Sequence, residues 1–189
     1  MMDMEKLEQA ARLIIEAVGD DPDREGLQET PKRFADMMAE QFAYTGVSNE
    51  DIAKEFEKTF ATPENDMVVV KDIPIFSHCE HHIALMYNMK AAVGYIPHGR
   101  VIGLSKIARI ADAVSKRFQI QERIGTDIRD VMKLVTKSDD VIVYIEGEHS
   151  CMTARGIKKP GTKTRTIASS GAFKKDSALR KEFMELAGK

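Results

Sequence analysis

The sequence lacks the features that would commit it to an oxidising compartment, a bilayer or a polyanion. No apolar run approaches the ~18 residues a spanning helix needs, which excludes a helical membrane protein. Residues 1–11 are acidic and amphipathic, without the basic flank and apolar core of a signal peptide, so a cytoplasmic location is expected. There are only two cysteines, Cys79 and Cys151, and in a reducing compartment they are expected as free thiols. An excess of one charge is missing too: 28 Lys and Arg against 30 Asp and Glu give a net charge of −2. General attraction to nucleic acid or anionic membrane is thereby excluded, and any bound anion must be gripped by a local cluster. Repeats, low-complexity tracts and an obvious interdomain linker are absent. What is there is an ordinary folding composition, 43% hydrophobic and 31% charged over 189 residues, enough for a single chain with a real core.

Leu7, Ala10, Ala11, Ile14 and Val18 recur at helical spacing up to Gly19. Thr30 and Pro31 read as an N-cap and a first-turn proline, followed by a stripe of Phe34, Met37, Met38 and Phe42 that Gly46 ends. Ser48 caps a third short helix through Phe56, so residues 1–62 read as an N-terminal helical region. From Met67 the pattern turns β-branched, with Pro74 marking an edge or a bulge, and a second strand covers residues 87–96. Residues 77–86 are the connection. A helix capped by Ser105 follows, with Ile107, Ile110, Ala111 and Val114 on one face, then a helix over 121–135. Strands over 140–146 and 162–169 and a C-terminal helix carrying Leu179, Phe183 and Leu186 complete the chain. This order predicts an α+β fold with an antiparallel sheet and helices on one face.

Both cysteines and four of the five histidines fall in two short segments. In Ser77-His78-Cys79-Glu80-His81-His82, Cys79 and His82 lie three apart, close enough for a turn to aim both to one side. In His149-Ser150-Cys151, an extended backbone would put the outer two on one face. Thiolates with imidazoles select zinc over magnesium or calcium. Cys79, His82, His149 and Cys151 together would form a closed structural site, whereas three of them with a water would form a catalytic one, and spacing alone leaves both open.

A second, basic group comprises Lys106 and Arg109, three apart near the start of the Ser105 helix, with Arg155, Lys158, Lys159 and Lys163 after Cys151. The helix start adds unpaired N–H groups that favour phosphate, against the bland alternative of a solvated charged face. Residues 156–164 are not a phosphate loop, because Thr162 stands where that motif needs lysine. Within Gln119-Ile120-Gln121-Glu122-Arg123, the Glu122 carboxylate could accept two parallel N–H bonds from an amidine-like edge such as that of guanine, or simply sit favourably in a first helical turn.

Taken with Gly103-Leu104-Ser105-Lys106-Ile107-Ala108-Arg109, Arg24-Glu25-Gly26-Leu27, Thr30-Pro31-Lys32-Arg33 and the stretch from His149 to Gly156, these motifs resemble GTP cyclohydrolase I in order and spacing. The resemblance implies the tunnelling fold, with residues 63–189 as the catalytic domain, and a homodecamer with active sites between subunits. It implies zinc on Cys79, His82 and Cys151, and His149, His81 and Ser105 as catalytic residues. Gln121 and Glu122 would hold the guanine edge, and Lys106, Arg109, Arg155 and Arg33 the triphosphate. The implied reaction hydrolyses GTP, releases formate and rebuilds the rings as 7,8-dihydroneopterin triphosphate. His78, where the family varies, adds a spare imidazole near the metal.

Overall fold

The first helical stripe becomes α1 (Met4–Ala17) in the computed structural model, which describes residues 2–189. The Asp3 carboxylate accepts from Lys6 N at 3.1 Å to cap its start, and Gly19, at φ +91°, takes the left-handed turn after its end. α2 (Thr30–Gln41) starts at Thr30 itself, with Glu29 at the capping position and Pro31 in the first turn. The expected Thr30 cap is therefore displaced by one residue. A run of turns, in which Leu27 N donates to Arg24 O and Thr30 N to Leu27 O, leads the chain into helix before Thr30 can cap it. These two helices, packed on one another, form a first compact unit that ends at Ala43.

The second unit, Tyr44–Lys189, begins with α3 (Asn49–Glu55), whose start is capped as expected by Ser48 Oγ accepting from Asp51 N at 3.1 Å. Next come β1 (Thr59–Ala61), β2 (Val68–Cys79), β3 (Ala84–Tyr95) and β4 (Arg100–Ile102). α4 (Leu104–Ser115), β5 (Phe118–Gln119), α5 (Gln121–Thr136) and β6 (Val141–His149) follow. The chain closes with α6 (Ser150–Thr153), β7 (Thr164–Ser169), α7 (Ala172–Lys175) and α8 (Ser177–Leu186). The main sheet runs β5-β2-β3-β6-β7, antiparallel except where β5 pairs in parallel with the last residues of β2, and β1 and β4 make a separate ladder. β5 meets β2 only at His78 and Cys79. Pro74 therefore lies where β2 has a partner on one side alone, and its missing N–H deprives no neighbour. Left-handed Asp72, at φ +54°, marks the bulge between Val70 and Ile73.

Alternation along β6 divides the core. Val141, Val143 and Ile145 face α4 and α5, packing with Ile107, Ile110, Val114, Ile124, Ile128 and Val131. Ile142 and Tyr144 face the other way, toward Phe173 of α7 and Phe183 of α8, whose rings meet edge to face at 6.3 Å. The main helical layer lies on one face as expected, and the C-terminal helices cover part of the opposite one. Among the described residues, no helix is long and apolar enough to cross a membrane.

On that second face Glu146 is clamped by Arg165 Nε at 2.7 Å and Lys163 Nζ at 3.2 Å, which hold its carboxyl down to about 2. A carboxylate whose folded pKa lies below its unfolded value, about 4.3, stabilises the fold above that pH and loses the contribution as pH falls toward 2. Thermal midpoints of the wild type should therefore drop more steeply between about pH 5 and pH 2 than those of Glu146→Gln. Parallel curves would show that the clamp contributes nothing to stability.

Candidate functional site

β2 runs three residues further than its apolar pattern predicts, so the connection expected over 77–86 shrinks to 80–83. Ser77 is accommodated because its Oγ donates to Ser115 O at 2.7 Å, at the end of α4, and the ladder continues through His78↔Leu85 and Cys79↔Ala84. Cys79 thus ends a strand whose last three residues are buried, while Glu80, His81 and His82 lie on an exposed turn. His82 N donates back to Cys79 O at 3.3 Å, and Ile83 takes φ +52°, a left-handed conformation rare for a β-branched side chain. Strain of this kind costs on the order of 1–3 kcal/mol and concentrates at functional sites.

The second segment is not extended throughout. β6 ends at His149, and Ser150 opens α6, so Cys151 is carried on a helical turn and does not share a strand face with His149. Two contacts hold that turn against β3: Tyr87 Oη with Thr153 Oγ1 at 2.9 Å, and Ser150 Oγ donating to Leu85 O. The result is a cluster in which ligand atoms of Cys79, His82 and Cys151 lie within 4.8 Å of one another. Both cysteines are free, and burial together with neighbouring Cys79 pushes the Cys151 thiol up. Two soft sulfur donors and an imidazole at this spacing suit a metal ion. Arg155 Nη1 donates to His82 Nε2 at 2.8 Å, and His81 Nδ1 lies 3.6 Å from Cys79 Sγ. His78, next to Cys79 on the strand, is buried and outside the cluster.

His149 is held apart from these three. Its Nε2 lies 2.8 Å from Gln121 Oε1, at the first residue of α5. The Gln121 amide nitrogen donates to Ile145 O at 3.2 Å and Thr164 O at 3.0 Å, so the amide oxygen must be the acceptor and His149 Nε2 the donor. Nδ1 is left to exchange a proton. Burial lowers the His149 pKa, and the Glu122 charge partly offsets this. The Gln121 side chain is fully engaged with protein, whereas the Glu122 carboxylate is exposed and makes no hydrogen bond among the described residues.

Ser105 and Lys106 lie in the first turn of α4, which Gly103 precedes, so Ser105 is inside the helix where it was expected to cap it. Lys106 Nζ donates to the carbonyls of Phe56 and Lys58 at 3.3 and 3.0 Å, and Arg109 is exposed one turn on. No hydrogen bond or ion pair joins these three to the cluster among the described residues. Arg33 is exposed on α2, in the first unit. Sequence reasoning gave no role to Glu80 or Arg123, which are ion-paired beside the cluster. The four-residue spacing of Gln119 and Arg123, a hydrogen-bonded pair at 2.8 Å, was the available signal.

The model of the GTP cyclohydrolase I family matches residues 7–188. The chain is 57% identical over 190 residues to GTP cyclohydrolase 1 of Clostridium acetobutylicum, covering 98% of this chain and 97% of that one. It is 56% identical to the enzyme of that name from Clostridium beijerinckii, covering 96% and 95%, and 54% identical to one from Clostridium botulinum, covering 98% and 97%.

Proposed function

This chain belongs to the GTP cyclohydrolase I family and converts GTP to 7,8-dihydroneopterin triphosphate with release of formate, and from that premise we propose which of its residues perform each step. Cys79, His82 and Cys151 hold zinc. Bound there, zinc would supply Lewis acidity, making water at the site acidic enough to yield hydroxide near neutral pH. The donor set supports zinc, since two thiolates would neutralise the dication and three protein ligands are the number of a catalytic site.

His149 protonates N7 of the guanine through Nδ1, while Gln121 keeps the other ring nitrogen protonated and the imidazole oriented. Water adds at C8, the five-membered ring opens to a formamide, and a second hydrolysis releases C8 as formate. Near-neutral imidazoles suit the proton transfers that follow, as the ribose opens, rearranges and condenses with the exposed amines. His81 and Ser105 serve these steps. Gln121 and Glu122 hold the guanine edge, Glu122 accepting from N1 and the amino group, and the Gln121 side chain also fixes its protein neighbours. Lys106, Arg109 and Arg155 hold the triphosphate, with Arg33 reaching that of a neighbouring subunit.

A homodecamer with sites between subunits completes the reading. The outer edge of β7 and the open side of β2 leave unpaired backbone groups, and Phe76 and Ile167 are exposed on the sheet, features that association would cover. Two thiols kept reduced suit the cytoplasm.

The observation that carries the assignment is the convergence of Cys79, His82 and Cys151 with His149 held separately by Gln121. Incubating zinc-loaded protein with GTP should yield formate and, after mild oxidation, fluorescent pterin in equal amounts. Formate without pterin would remove His81 and Ser105 from their assigned steps. Neither product from a metal-replete oligomer would overturn the assignment.

A further inference from the structure

Gln119 is buried, with its amide nitrogen donating to Val114 O at 3.0 Å and to Asp127 Oδ2 at 2.8 Å. Asp127 is fixed in turn by Asn49 Nδ2 at 3.1 Å and Arg117 Nη1 at 3.3 Å. The Gln119 amide oxygen therefore has a set direction, and it accepts from Arg123 Nε at 2.8 Å. The same guanidinium reaches through Nη2 to the Glu80 carboxylate, in the turn between Cys79 and His82. That turn also touches this segment through its backbone, Glu80 N donating to Gln119 O at 3.0 Å.

We propose that Arg123 is a positioning residue for the metal turn: braced on the buried Gln119 amide, it holds Glu80 so that His82 is presented to the two thiols. This rests on reading Cys79, His82 and Cys151 as metal ligands. The need for such a strap follows from the turn itself. His82 is exposed, Ile83 is in a disfavoured conformation, and β5, the strand beside Cys79, is only two residues long. The guanidinium suits the task because its planar fork offers donors in fixed directions, one to Gln119 and one to Glu80. The pair is partly solvated, with Arg123 and Glu80 side chains 42% and 35% exposed. Ion pairs this exposed add little to global stability, so the contribution is local to the turn.

The test compares zinc-loaded wild type with Arg123→Ala, Arg123→Lys, Glu80→Gln and the Arg123→Ala/Glu80→Gln double variant. Zinc release to a chromophoric chelator and the absorption bands of the cobalt-substituted proteins are measured. Removing a partner that orients a ligand typically weakens metal binding about 10- to 100-fold, so Arg123→Ala and Glu80→Gln should release zinc about tenfold faster and shift the cobalt bands. Thermal midpoints should stay near that of the wild type. Arg123→Lys, which keeps the charge without the fork, should restore only part of the effect, and the double variant should be no worse than either single one. Glu80→Gln is nearly isosteric and provides the comparison if Arg123→Ala fails to fold. Wild-type release rates and cobalt spectra in the variants would overturn this inference alone. Retention of zinc by Cys151→Ala would overturn the ligand assignment, and this inference with it.

Discussion

Replacing Cys151 by alanine is expected to abolish metal binding and turnover together. The thiol sits on the short turn of α6, which the contacts of Tyr87 and Ser150 press against β3, and among the described residues its cluster partners are Cys79 and His82. Removing it leaves one sulfur and one exposed imidazole, a pair unable to hold a divalent ion against dilution. Burial and the neighbouring sulfur raise the Cys151 thiol, so the two sulfurs together favour a dication. Metal content should fall from about one ion per chain to background, and formate production by at least about three orders of magnitude, because water without the ion returns to a pKa of 15.7. Elemental analysis of the purified variant beside a circular dichroism spectrum checks the first outcome. A correctly folded variant that keeps its ion would refute the three-ligand assignment.

His149→Ala should separate what Cys151→Ala joins. His149 lies outside the cluster and is held by Gln121, so the variant should retain its zinc. Loss of a positioned general acid typically costs 10²–10⁴-fold in rate, and both formate and pterin should fall by about that factor. Their ratio should stay near one, since protonation at N7 precedes both products. Loss of zinc from this variant would point instead to the closed four-ligand site that sequence spacing alone allowed. The two variants together thus distinguish a catalytic metal centre from a structural one.

Much of this arrangement was legible in the residues. Long periodic segments such as α4 and α5 declare themselves because each buries a full apolar stripe against the sheet. Cys79 and His82 come together because a tight turn after a strand brings residues three apart side by side. The end of β2 was hidden because Ser77, His78 and Cys79 look polar, and only a distant carbonyl, Ser115 O, accounts for burying a hydroxyl there. β1, β4 and β5 are too short to show any alternation. The turn of backbone at Ser150, which carries Cys151 to Cys79 and His82, has no local signal: it depends on β3, some sixty residues earlier in the chain. Gln121 and Arg123 were conspicuous as polar residues, but what each touches is settled by strands and turns remote in sequence.

The β2–β3 hairpin bears on the order in which the site assembles. Cys79 ends its first strand and His82 lies in its turn, so both are brought together by a contact that is local along the chain and closes fast. Cys151 is some seventy residues further on and arrives only when β6 has paired with β3. The entropic penalty of gathering the three side chains thus falls almost entirely on Cys151, and it is met by strand pairing that the fold requires in any case. The hairpin alone brings two donors side by side, and docking of β6 adds the third.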